Sequence, residues 1–254
     1  MKIFLKFSAI AALILSLALM VAPTARADGG FYLEGKLGWS YQRHDRTLQI
    51  VDPVMDIDDK LEIRGSDLRM GKQTNNSFVG GFAFGYNFMP SYSVPIRLDL
   101  EFLARTYKSV DSVYNAKVKV TDENGDSGTI ERRVTEKSEI GVHTILANVY
   151  YDFVNDSQFT PYIGASFGLA IMHADVDQLT LEGFNLPSIS AYGWANFAWG
   201  LGAGVNYAID DDWSLDFRYR YLDASTNAVR KSLPAKLKLD MAIHDVTLGV
   251  RYTF

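Results

Sequence analysis

The side chains of this chain best suited to moving a proton near neutral pH are four histidines, His44, His143, His173 and His244. None sits in an H-E-x-x-H or other metal-ligand spacing, so each reads as a solvated or interfacial residue. Asp56, Asp58 and Asp59, and again Asp210, Asp211 and Asp212, are carboxylate clusters of the kind that hold a hard cation. Neither follows the Asp-x-Asp-x-Asn-Gly loop spacing; the first reads as a solvated loop and the second as a tight turn. Cysteine is absent, which excludes structural disulfides, thiolate metal sites and a lipid-modified N-terminal cysteine. No cofactor or metal is expected.

A different set of charges is more informative. Glu34, Asp99, Glu101, Asp152, Asp216 and Asp245 recur with Lys36, Arg97, Arg105, Arg218, Arg220 and Arg251 at alternate positions of otherwise apolar segments. Successive side chains of a strand point to opposite faces. These charges therefore share one face and the apolar residues the other. Ile96, Leu98, Leu100, Phe102 and Ala104, for instance, alternate with Arg97, Asp99, Glu101, Leu103 and Arg105. With equal numbers of each sign they can pair with one another, whereas an unpaired buried charge would cost several kcal/mol.

Eight segments carry this period-2 pattern. They begin with Phe31, Leu33, Leu37, Trp39 and Tyr41, and end with Val246, Leu248, Val250, Tyr252 and Phe254. Between them lie segments around Phe82, Leu100, Val149, Ile163, Leu201 and Phe217. Glycine, alanine and serine dominate the second face of the segments near 78–88, 161–172 and 196–208, leaving room for the long arginines of their neighbours. The connections alternate in length: 89–95, 154–160 and 209–212 are short, while 42–77, 108–139, 173–195 and 223–234 are long, polar and charged. Trp and Tyr mark the ends of the apolar stripes and cluster beside the short turns, as in a membrane-interface girdle. Residues 116–134 read as a hairpin around Asn124-Gly125. The apolar residues Val51, Val54, Met55, Ile57, Leu61 and Ile63 lead us to expect that the first long loop packs on itself.

Lys2 and Lys6 precede an apolar run over 7–22, and Ala25-Arg26-Ala27 supplies a small-x-small cleavage site. The run is shorter than the roughly 20 residues of a spanning helix. A signal peptide over 1–27 and a single β-barrel domain over 28–254 are expected. Removing Lys2, Lys6 and Arg26 from the 25 basic residues leaves 22 against 30 acidic ones, a net charge of −8. No basic stripe exists to neutralise phosphates, so a nucleic-acid partner is not expected.

The stretches 200–207 (GLGAGVNY), 213–222 (WSLDFRYRYL) and 248–254 (LGVRYTF) resemble the small outer-membrane β-barrel superfamily, which includes OmpA-like transmembrane domains and opacity-type surface proteins. The segments 148–153 (NVYYDF) and 161–165 (PYIGA) fit the same pattern. The resemblance implies an all-β, eight-stranded antiparallel transmembrane barrel with short periplasmic turns and four long extracellular loops. It implies a Gram-negative outer-membrane location, contact with outer-membrane lipid and lipopolysaccharide, and a C-terminal signal at Tyr252 and Phe254 read by the barrel assembly machinery. Some barrels of this kind modify lipid A, and the deacylase type carries a serine two residues after a histidine. Here positions 46, 145, 175 and 246 are Arg, Ile, Asp and Val. The expected function is a non-enzymatic surface protein whose loops mediate adhesion or host and envelope contacts with an extracellular ligand. The alternatives are a small-solute or hydrophobic-ligand channel, and a lipid A-modifying enzyme.

Overall fold

A computed structural model describes residues 30–50, 56–57, 61–63, 67–122, 125–181, 184–186, 189–224, 226–229 and 235–254. The signal peptide expected over 1–27, and the loop residues Val51, Val54, Met55, Asp58 and Asp59, lie outside them.

The strands in chain order are β1 (Phe31–Ile50), β2 (Asp56–Ile57), β3 (Leu61–Ile63), β4 (Asp67–Asn87), β5 (Ile96–Arg105), β6 (Lys108–Asp122) and β7 (Ser127–Asp152). They continue with β8 (Phe159–Leu181), β9 (Phe184–Leu186), β10 (Ile189–Ala208), β11 (Trp213–Asp223), β12 (Thr226–Val229) and β13 (Ala235–Thr253). A single helical turn, α1 (Met89–Tyr92), occupies the first short connection. Eight strands form the wall in the order β4-β1-β13-β11-β10-β8-β7-β5, every neighbour antiparallel. Pairing of β4 with β5 completes the circle, and the first and last strands meet from Tyr32↔Thr253 to Ile50↔Ala235. The structure is a closed eight-stranded barrel, which leaves no sheet edge around its middle.

The alternation sorts the two faces. Tyr32, Glu34, Lys36 and Ser40 of β1 are buried inside, while Leu37, Trp39 and Tyr41 are exposed outside. On β11, Asp216, Arg218 and Arg220 point in, and Phe217 and Tyr219 point out. The lumen glycines sit against aromatic rings more than against arginines. A Cβ on Gly85, Gly164 or Gly204 would lie about 2.5 Å from the ring atoms or hydroxyl of Tyr32, Tyr150 and Tyr162 respectively.

Strand lengths differ from the sequence expectation. β5 and β11 have 10 and 11 residues, the length a tilted strand needs to cross a bilayer. By contrast β1, β4, β7, β8 and β10 have 20 to 26 residues and extend far toward the long-loop end. Much of 42–77, 108–139 and 173–195, read from sequence as loop, is therefore paired strand. The reason is physical: inward positions such as Gln42, His44, Asn75 and Ser77 are buried yet polar like their outward neighbours, so the ladder continues without the hydrophobic alternation that would reveal it. Within this extension β6 pairs with β7 from Lys108↔Ile140 to Thr121↔Ser127, a hairpin over the segment where one is expected; Asn124 of the expected turn lies outside the described residues. β3 adds to the same sheet through Leu61↔Asp122 and Ile63↔Val120.

Candidate functional site

Inside the short-turn half of the barrel the twelve charged residues singled out above come together, all buried. Nearest the short turns, Arg97 grips Asp152 with two parallel bonds, Nε to Oδ2 at 2.6 Å and Nη2 to Oδ1 at 2.9 Å. Its guanidinium also lies over the rings of Tyr150 and Tyr162. Arg251 bridges Glu34 and Asp216, 3.1 Å from each, and stacks over Tyr32. Asp99 differs from the rest. Its partners are the Tyr32 hydroxyl at 3.0 Å and the Asn148 amide at 2.5 Å, neutral donors in place of a cation.

The middle layer converges on Glu101, which is 1% exposed. Lys36 Nζ and Arg218 Nη2 reach Oε2 at 2.8 and 2.5 Å, and Arg220 Nη1 reaches Oε1 at 2.6 Å. Arg218 also donates to the Tyr150 hydroxyl at 2.7 Å. One layer higher, Asp245 accepts from Arg105 at 2.6 Å and Arg220 at 2.9 Å, and Arg105 bonds Ser40 and Thr144 as well. These charge-assisted bonds are the strong kind. They tie β1, β5, β11 and β13 across the lumen. Each of the twelve side chains has a protein partner, with Glu34 Oε1, Asp245 Oδ1 and the Nε atoms of Arg218 and Arg220 left without a hydrogen bond, so the set is arranged to bolt the barrel together.

The long-loop half is filled with different material. Val142, Leu146, Ala170, Met172, Leu222, Met241 and Ile243 form a buried apolar cluster directly above the charges. On the β1/β4 side of the same level, Gln42 donates to Ser77 at 2.8 Å and His44 contacts Gln73 at 3.3 Å. At the short-turn mouth a cavity of about 120 Å³ ends on Tyr32, Arg97 and Arg251.

The histidines divide. His44 is fully buried in the lumen, and His143 is 6% exposed beneath the ring of Tyr107. Neither is solvated or interfacial, because each lies on a strand that runs on past the point where the alternation fades. His173 lies within β8, opposite Gly141. His244 does face outward, bonded to the Tyr219 hydroxyl at 2.7 Å and flanked by Tyr41 and Tyr221. The turn reading of Asp210–Asp212 matches the geometry: the Asp210 carboxylate accepts the backbone N–H groups of Asp212 and Trp213 at 3.0 and 2.7 Å.

Outside, Leu100, Ile163, Phe167, Leu201, Phe217 and Leu248 form an apolar belt with two aromatic rims. The short-turn rim includes Phe31 with Tyr86, Tyr151 with Phe153, and Trp213 with Tyr252. Trp39, Tyr41, Tyr219 and Tyr221 belong to a second rim at the long-loop end, where Trp39 packs on Phe78. The sequence had grouped them all beside the short turns. Phe254 packs on Tyr252, and its N–H bonds the Phe31 carbonyl at 2.9 Å.

Sequence reasoning found the twelve charges and missed what accompanies them. Tyr32, Tyr150 and Tyr162 occupy the same inward positions, and the signal for them was their parity with the neighbouring charges. The apolar cluster was equally within reach of the alternation, since Leu146, Leu222 and Ile243 share the face of Asn148, Arg220 and Asp245.

The family model described as outer membrane protein beta-barrel domain matches residues 9–254. The outer membrane protein PagN of Salmonella typhimurium is 29% identical over 253 residues, covering 95% of this chain and 97% of that protein. An uncharacterized protein of Brucella abortus is 27% identical over 213 residues, 77% of this chain and 68% of its own. Among solved structures, Neisserial surface protein A aligns with a TM-score of 0.41 and 19% identity, over 86% of this chain and 99% of that one.

Proposed function

Because the chain belongs to the outer membrane protein beta-barrel family and resides in the outer membrane, we propose that it is a non-enzymatic anchor that presents its long-loop extensions for adhesion or for host and envelope contacts. The observation that carries this reading is the use of the lumen charges. Acids and bases that could serve a substrate or line a water path are spent on one another, with Glu101 alone taking three cations. An apolar cluster lies above them. What is left to engage a partner is the extension, to which the β6/β7 hairpin belongs. Its described outer face alternates in sign, with Lys117 opposite Glu131 and Asp111 opposite Lys137. Such a surface favours a polar partner.

In this reading residues 1–27 are a cleaved signal peptide, and Tyr252 and Phe254 are the segment that the barrel assembly machinery engages. The test is a protein whose hairpin is shortened by removing 112–136 and rejoining the stubs. It is expected to keep heat-modifiable gel migration and surface exposure while losing binding to cells that the intact protein coats. Undiminished binding, large stable conductance in planar bilayers, or altered lipid A in overexpressing cells would each overturn it.

A further inference from the structure

The wall is not equally closed at all heights. The β4/β5 ladder ends at Val79↔Arg105, and one further contact joins Phe78 to Thr106: the Phe78 N–H reaches the Thr106 hydroxyl at 3.2 Å, and the Thr106 N–H reaches the Phe78 carbonyl at 3.0 Å. Backbone groups two residues apart on a strand point to the same side. The N–H and C=O of Asn76 therefore face that same edge, where among the described residues no strand pairs with β4. β6, which continues the chain beyond β5, pairs only with β7 and β3 among the described residues. The break lies level with Trp39 and Tyr41, at the aromatic rim of the long-loop end.

Below the break, on the outward face, runs a groove of about 1010 Å³ lined by Gly80 and Ala104, with the projecting side chains of Leu37 and Leu248 beside them and Phe78, Thr106 and Tyr107 at its upper end. Gly80 and Ala104 are neighbours across the ladder and supply the depth. No carboxylate lines the groove. At its head lies the Thr106 hydroxyl, which accepts from Phe78 and retains its own proton, and just beyond it on the open edge are the Asn76 N–H, a second donor, and the Asn76 carbonyl, an acceptor. An apolar channel at hydrocarbon depth, with the Thr106 hydroxyl and the Asn76 N–H as donors at the headgroup border, is complementary to an acyl chain whose carbonyl or phosphate end lies uppermost.

We infer that this groove is a seat for one outer-leaflet lipid, the lipid A part of lipopolysaccharide, with an acyl chain along Leu37, Gly80 and Ala104 and its acceptor-rich head at the β4/β6 break. The long-loop end faces outside the cell, so the outer leaflet supplies the occupant. The inference rests on the outer-membrane location and is independent of the adhesive role of the loops.

The full-length mature protein, refolded in detergent with Kdo2-lipid A as probe, tests it by native mass spectrometry. Ala104→Trp fills the groove, and Ala203→Trp adds the same bulk to the outer face of β10. Retention of the probe is expected to fall roughly tenfold in Ala104→Trp, the factor that about 1.4 kcal/mol represents, and to stay unchanged in Ala203→Trp. Equal retention by the two variants, or preferential retention of phosphatidylethanolamine by the unaltered protein, would overturn the assignment. Should Ala104→Trp fail to fold, the unaltered protein decides by NMR. Stronger acyl-chain contacts to the Ala104 methyl than to the Ala203 methyl support the seat, and equal contacts refute it.

Discussion

The two halves of the lumen are built on the same strands and the same inward-facing positions, yet hold opposite materials. Toward the short turns, Glu101, Asp245, Asp216 and Glu34 share five bases, Arg97 holds Asp152, and Asp99 is held by the neutral donors of Tyr32 and Asn148. Toward the long loops, Leu146, Met172, Leu222, Met241 and Ile243 pack against one another. The difference teaches that a narrow barrel can be plugged by either kind of interior, provided its side chains find partners of their own kind. A charge needs an opposite charge or several dipoles at close range, and an apolar group needs close-packed neighbours. The seam between them falls on β11, where Arg220 is followed at the next inward position by Leu222.

The largest expected effect comes from breaking the hub. Glu101→Ala leaves Lys36, Arg218 and Arg220 buried without their shared carboxylate, and should cost roughly 3–5 kcal/mol, read as a lowered urea midpoint in reversible unfolding from lipid. A loss no larger than that of an exposed substitution would show that water, in place of Glu101, satisfies those cations.

Leu146→Ala probes the other half and should cost roughly 2–5 kcal/mol, with the lower end expected if the cluster collapses into the gap. A double variant carrying both changes sharpens the comparison. Additive losses are expected if the halves are independent plugs, and strong non-additivity would mean that they form a single unit.

Charge placement gives the third prediction. Leu100 is 44% exposed on the outer belt, so Leu100→Arg should destabilise by roughly 2–4 kcal/mol if it lies near the bilayer midplane. Its neighbours Asp99 and Glu101 carry charge at no such cost because they face in. Unchanged stability in lipid would mean that the inside and outside faces of β5 are exchanged.

The smallest effect is assigned to Tyr150→Phe. It removes the hydroxyl that accepts from Arg218 at 2.7 Å while Glu101 still holds the same guanidinium, and should cost about 1–3 kcal/mol, the lower figure applying if water replaces the hydroxyl. A loss rivalling that of Glu101→Ala would move the centre of the network from the carboxylate to the tyrosine.

By itself the sequence determined which face each of the twelve charges and each belt residue occupies, because a strand has a strict period of two and lipid and lumen demand opposite chemistries. It also determined the strand count and the side on which the long connections lie. Only the tertiary structure decided who meets whom. Glu101 takes its cations from Lys36, 65 residues before it, and from Arg218 and Arg220, 117 and 119 residues after it, and nothing local encodes that choice. The stagger of strands in a closed barrel fixes which inward side chains share a height. For the same reason sequence did not reveal that Asp99 is held by neutral donors, that the lumen glycines stand against tyrosine rings, or that His44 and His143 are enclosed. The strand extensions were hidden for a different reason: their buried inward positions, such as Gln42, His44, Asn75 and Ser77, are polar like their outward ones, so no alternating pattern marks them and only the backbone ladder, which every residue type can join, reveals them.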